Sequence, residues 1–273
     1  MSANPMWQAA HDLQLETWVP ETINATDAQE QLRQLAADLL VVCDYGEILK
    51  PAVLETTRFG AINLHASLLP KYRGAAPVQW AILNGEQETG NSVIQITPGL
   101  DAGPCLGQEA TPIEPDETAA ELESRLGILG AALVGRVVED IIAGCTVPVS
   151  QDPVRITKAP RLQKSDGVID WSQPSTRVKN QIRAMIPWPR AFTFWHRPQG
   201  EPLRLNIDKV RCLAGEPAAR PGTVLNADKQ LVVQTGDGGV EILRLQAAGR
   251  RPMPAAEFLR GNRMQAGDRL GPV

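Results

Sequence analysis

The sequence predicts an α/β protein built in two parts, a Rossmann-like domain with a mostly parallel sheet followed by an OB-like β-barrel. Three observations predict it. Two β-rich runs, LLVVC (residues 39–43) and FGAINLH (residues 59–65), are separated by helical sequence, as in strands joined by crossovers. A stretch marked by Pro148, Pro153 and Pro160 then interrupts all periodicity. Beyond it, about 100 residues read as short strands punctuated by turns. The expected boundaries are 1–148 for the first domain, 149–168 for the linker and 169–273 for the second domain.

The elements follow in order. A helix is expected from Thr26, with Thr26 and Gln29 as a capping-box pair and Leu32, Leu35 and Ala36 at helical spacing. The run 39–43 is continuously apolar, which predicts a strand buried on both faces. A second strand ends at His65, and VQWAILNGE reads as a helix stopped by Gly85. SVIQIT (92–97) alternates like a strand, PGLDAGP is a turn-rich loop, and a return strand runs from Cys105 to about Ile113. The longest helix begins near Asp116 and carries Leu122, Leu126, Leu129, Leu133, Val137 and Ile141 along one stripe. Its early charges, Glu117, Glu121 and Glu123, suit a helix N-terminus, and Gly144 ends it. Strands are then expected in FTFW, PLRLNIDKVRCL, GTVLNA and KQLVVQTGDGGVEILRLQ.

Composition narrows the function. The chain is 43% hydrophobic and 21% charged, which is ordinary for a globular protein. It has no run of about 18 apolar residues to span a membrane, and its start lacks the pattern of a secretory signal. The four cysteines are scattered without a CxxC pair, which fits small apolar fillers in a reducing cytoplasm better than a metal knuckle. Charge is divided: residues 1–150 hold 7 Lys and Arg against 20 Asp and Glu, a net −13, whereas residues 151–273 hold 20 against 11, a net +9. Such a split points to a nucleic-acid-facing module joined to another, although clustered solvated charge is the plainer alternative.

The polar pair Asn63 and His65 lies one residue apart in an apolar strand, so both side chains share a face. They either satisfy each other or face a ligand. Asp101, in the PGLDAGP loop, reaches the imidazole if its strand lies beside the one ending at His65; otherwise it makes an Asx-type turn. Together the three suit acyl transfer: an amide donor for an oxyanion, an imidazole for protons, a carboxylate to orient it.

HASLLPKYRGAAPVQWAILNGEQETG followed by QITPGLDAGPCL resembles the 10-formyltetrahydrofolate-dependent formyltransferases. The shared signature is an Asn-x-His strand end, a Ser-Leu-Leu-Pro loop, an Arg-Gly turn and a Leu-Asp-x-Gly loop. GVIDWS, IPWPRAF and LQAAGRRPMPAAEFLRG resemble the C-terminal domain of the branch that acts on methionyl-tRNA. The resemblance implies that Asn63, His65 and Asp101 are catalytic and that Ser67, Leu68, Leu69 and Pro70 form the loop holding the folate. It implies 10-formyltetrahydrofolate as formyl donor, initiator methionyl-tRNA as acceptor, no metal, and a cytoplasmic monomer away from membranes. Basic residues Lys158, Arg161, Lys164, Arg250, Arg251, Arg260 and Arg263 are candidates for tRNA phosphate. Trp171 and Trp188 are expected in the core, and His11 and His196 in surface or packing roles. The family's opening strand with a Gly-Thr-Pro-type turn, and the helix, strand and tRNA-facing loop after it, are not found in these residues. Residues 4–20 look like the helix and strand that usually follow that loop. The reading is therefore of a domain short of one βαβ unit, roughly 40 residues. A start placed too far downstream is preferred to a genuinely shortened protein, for which poor solubility or sharply reduced activity is expected. Two other functions stay open: formylation of a small-molecule amine, or a non-catalytic remnant binding tRNA or folate. Hydrolysis of the donor is a weaker variant.

Overall fold

A computed structural model describes residues 5–272. The first sheet runs β1 (Leu40–Cys43), β2 (Ala61–His65), β3 (Glu88–Gln95), β4 (Cys105–Pro112) in that order. Only β1 and β2 are parallel; β2–β3 and β3–β4 are antiparallel. The sheet is thus mixed rather than mostly parallel. Two connections explain it. The helix after β2, α4 (Pro77–Leu83), delivers the chain to the end where β2 finishes, with Ser92 opposite His65. Residues 96–104 then form a short link, which can join only antiparallel neighbours.

Each face of the sheet is covered by the helix its sequence demands. On one side Ala61 packs with Leu32 of α2 (Thr26–Leu35) and Val53 of α3 (Pro51–Leu54). On the other, Ile62 and Val93 meet Leu133 and Val137 of α5 (Ala119–Ala143), the apolar stripe read from the sequence. Thr118 caps α5: its hydroxyl accepts from the Glu121 amide, and the Glu121 carboxylate accepts from the Thr118 amide at 2.8 Å. The acid Glu121 is held below the usual carboxylate range by that amide.

Several expectations are corrected. A helix, α1 (Pro5–Asp12), is present, but residues 14–19 form no strand, and Leu13, Leu15, Trp18 and Val19 are exposed, because no described strand pairs with them. Thr26 is the first helical residue rather than the cap; Ala25 takes that place, and Gln29 donates to the Asn24 carbonyl at 2.9 Å. Strand β1 is not buried on both faces: it is an edge of the described sheet, and Val41 is 52% exposed.

The second domain is an antiparallel sheet in the order β11 (Arg269–Gly271), β5 (Phe192–His196), β6 (Leu203–Leu213), β9 (Gly239–Ala247), β8 (Leu231–Gln234), β7 (Val224–Asn226). A short β10 (Met253–Pro254) pairs with β9 outside that path. The ends meet: the Val224 amide donates to Asp268 O at 2.9 Å, and the Leu270 amide to Gly222 O at 2.7 Å. These bonds close the sheet into a barrel filled by Leu205, Ile207, Leu231, Val233 and Ile242. Helix α7 (Ala255–Gly261) sets Phe258 edge-on to Trp195 at 6.1 Å. Helix α6 (Ser175–Ala184) packs on α4, so one buried cluster runs from the first domain into the barrel. The intervening stretch is not a loose tether. Val149 exchanges backbone hydrogen bonds with Cys105, and Arg73 with Thr157 and Ala159.

Candidate active site

Strand alternation places Asn63 and His65 on the wall of a cavity of about 1250 Å³, with Asp101, Arg73, Lys158 and Arg161 also lining it. His65 is buried, 6% exposed, and Asp101 is 14% exposed at its side chain. The loop carrying Asp101 begins beside Ala61, where the Ile96 amide donates to the Ala61 carbonyl. It then folds back along β2 over four residues of strand, roughly 13 Å, so that Asp101 Oδ2 sits 3.7 Å from His65 Nδ1.

The imidazole is oriented from the other side. His65 Nε2 lies 2.9 Å from the Tyr72 carbonyl oxygen. A carbonyl only accepts, so Nε2 carries a proton and the neutral ring presents its lone pair at Nδ1, toward Asp101 and the cavity. Asp101 Oδ2 accepts the Gly74 amide at 2.8 Å, which fixes the carboxylate. Asp101 itself has φ +47, in the left-handed region that residues with a Cβ adopt rarely, Asp and Asn more often than most. The Asn63 side chain has no hydrogen-bond partner among the described residues, so its amide is free for a ligand on the cavity wall.

Asn63, His65 and Asp101 are therefore brought together. Ser67, Leu68, Leu69 and Pro70 are not: none lines the cavity. Ser67 Oγ donates to Lys71 O at 2.6 Å, the Leu69 amide donates to Ser92 Oγ at 3.0 Å, and Leu69 is buried against Ile94 and Cys105. Apolar side chains beside a sheet bury themselves, and this loop shapes the turn that aims Tyr72 O and Gly74 N. Those two backbone groups escaped the sequence reading because any residue type supplies them; the Arg73-Gly74 turn was their only trace. Gly74 sits at φ +126, and a Cβ there would lie 2.4 Å from Ala159 O.

All seven basic candidates are exposed. Lys158 and Arg161 reach the cavity; Lys164, Arg250, Arg251, Arg260 and Arg263 do not line it, and Arg251 pairs with Glu257 at 3.2 Å. Trp171 is buried, its indole donating to Thr193 Oγ1 at 3.1 Å, but Trp188 is 50% exposed and so not core. Of the cysteines only Cys105 is a buried filler; Cys43 lies on the exposed edge strand and Cys145 beyond α5. His11 and His196 are both exposed.

A mixed α/β domain that opens an Asn/His/Asp wall into a cavity, joined to an antiparallel barrel, is the architecture of the formyl transferases. Residues 3–138 match the formyl transferase family and residues 161–263 its C-terminal domain. Methionyl-tRNA formyltransferase of Solibacter usitatus is 43% identical over 270 residues, 99% of this chain and 85% of that protein. The enzyme of the same name from Rhodopirellula baltica is 44% identical over 274 residues, 97% of this chain and 80% of that one. Among solved structures, the sugar 3N-formyl transferase WlaRD superposes with a TM-score of 0.65 at 19% identity, covering 90% of this chain and 82% of that one. An N-formyltransferase from Helicobacter canadensis gives 0.64 at 20% identity, covering 86% and 80%. This chain belongs to the methionyl-tRNA formyltransferase family.

Proposed function

We propose that the site transfers the formyl group of 10-formyltetrahydrofolate to the amine of initiator methionyl-tRNA in the cytoplasm, with residues 1–148 doing the chemistry and residues 169–273 facing the tRNA. The observation that carries this reading is an unpartnered Asn63 amide beside a buried His65–Asp101 pair on one cavity wall. The relatives' name supports the acceptor, as do three cations on the cavity wall, Arg73, Lys158 and Arg161, which stand there beside the carboxylates of Asp44, Glu47 and Glu123. The solved relatives that bind 5-N-formyl-THF and folinic acid support a folate donor.

In this mechanism the amine attacks the formyl carbon and the carbonyl oxygen becomes an oxyanion. The Asn63 amide donates to that oxygen. His65 Nδ1 takes the proton released by the new C–N bond, Asp101 stabilises the imidazolium, and the proton passes to the departing folate nitrogen as its bond to carbon breaks. Tyr72 O holds the other ring nitrogen, so the imidazole does not swing away. Holding amine and formyl carbon in attack geometry supplies a large share of the rate.

The test is formyl transfer from 10-formyltetrahydrofolate to methionyl-tRNA by the purified chain. Asn63→Ala is expected to lower kcat by about 10²–10³-fold, the usual effect of losing one oxyanion donor. Wild-type activity unaffected by that change would refute the assignment. Formate release without tRNA, or preference for a free amine, would favour the rival chemistries.

A further inference from the structure

We propose that Gln151, in the segment between the domains, is a positioning residue for Asp101 and for Arg73; this rests on the catalytic role given to Asp101 above. Val149 pairs with Cys105 through two backbone hydrogen bonds of 2.8 Å, which continues the sheet edge into the segment and places Gln151 against the Asp101 loop. Every hydrogen-bonding position of its amide is then used. Nε2 donates to Asp101 O at 2.7 Å and to Gly103 O at 2.8 Å. Oε1 accepts from Arg73 Nε at 3.1 Å and from a terminal Arg73 nitrogen at 2.8 Å.

One side chain thus ties together two segments that share no sheet. It grips both carbonyls that flank Ala102, in a loop whose central residue stands at φ +47 and whose carboxylate must stay within reach of His65. A residue in that conformation persists only when its surroundings hold it there. The same amide orients the Arg73 guanidinium on the cavity wall. The segment is itself anchored: the Tyr72 amide donates to Thr157 Oγ1 at 2.8 Å and the Arg73 amide to Thr157 O at 2.9 Å. The position of the chain that joins the two domains is therefore coupled to the backbone that carries the carboxylate beside His65.

Two substitutions separate the two grips. In Gln151→Glu the carboxylate still accepts from Arg73 but has no proton for the two carbonyls. In Gln151→Met both grips are lost with little change of volume. Both variants are expected to lower kcat by about 10- to 100-fold, the effect of a displacement near 1 Å at a reacting group. The KM for methionyl-tRNA is expected to rise in Gln151→Met alone, because only there is Arg73 released. The KM for 10-formyltetrahydrofolate and the thermal midpoint are expected to stay near wild type in both. Asp101→Asn and the double variant Asp101→Asn/Gln151→Glu complete the cycle, and the double variant is expected to be no slower than Asp101→Asn. Unchanged kcat in both Gln151 variants, additive losses in the double variant, or unfolding of both would overturn the proposal. With Asp101→Asn strongly slowed but still measurable, those outcomes leave the formyl-transfer reading standing; an inactive wild-type chain overturns that reading and this one together.

Discussion

Tyr72 joins the site to the core through three of its atoms. Its carbonyl receives His65 Nε2, its amide donates to Thr157 Oγ1, and its phenol donates to Glu86 at 2.8 Å while accepting from Asn84 at 3.2 Å. It adopts φ +63, which costs on the order of 1–2 kcal/mol and is held by those bonds. Burial, with the Glu86 carboxylate alongside, pushes the phenol up to about 12 from its ordinary 10.0. The folded value lies above the unfolded one, so the contribution of the neutral phenol is complete below about pH 10 and is lost as pH rises through about 12. Two units correspond to about 3 kcal/mol. Urea unfolding of wild type and Tyr72→Phe over that window should show the stability gap shifting against wild type by up to this amount. A gap that does not move with pH would show that the phenol is not the titrating group.

At the scale of elements, the link between β3 and β4 decides whether a catalytic pair exists. It must reverse tightly at one end and fold back along β2 at the other. Gly103 permits the first: a Cβ there would lie 1.7 Å from Gln95 O. Gly103→Ala must shift the loop, and about 1 Å of movement at Asp101 is expected to lower kcat by about 100-fold. Gly135→Ala is the control. That glycine lies on the exposed side of α5 with nothing within 4 Å of the added methyl. It should retain full activity and gain up to about 1 kcal/mol of stability from helix propensity. Kinetics and thermal melts of the pair check both halves, and equal kcat in the two variants would show that the loop tolerates displacement.

Across the whole molecule, charge and architecture divide together. The net −13 of residues 1–150 and +9 of residues 151–273 separate near the segment that bears Lys158 and Arg161. Those two cations reach the cavity and make no ion pair among the described residues, so they are available to phosphate. Neutralising both as Lys158→Ala/Arg161→Ala should raise KM for methionyl-tRNA and flatten the slope of log(kcat/KM) against log salt by about 2, one unit per lost contact. The KM for 10-formyltetrahydrofolate should not move. A slope equal to that of wild type would assign the two residues to solvent.

The amino-acid sequence determined the strand periods, the stripe of α5 and its stop at Gly144, the common face of Asn63 and His65, and the second set of short strands. All of these depend on neighbours within a few residues, where side-chain alternation and helical pitch dominate. It also carried the motif that named the three polar residues. Only the tertiary structure decided that the sheet is mixed, that Trp188 stands in solvent, and that Ser67–Pro70 buttress the wall without lining it. Only there do Tyr72 O, Gly74 N and Gln151 acquire their roles, since a backbone carbonyl or a surface glutamine is chemically unremarked until folding sets it beside an imidazole or a strained aspartate. Long-range contacts of this kind leave no local period, because the chain that makes them is joined through space across 27 residues between Gly74 and Asp101 and 50 between Asp101 and Gln151.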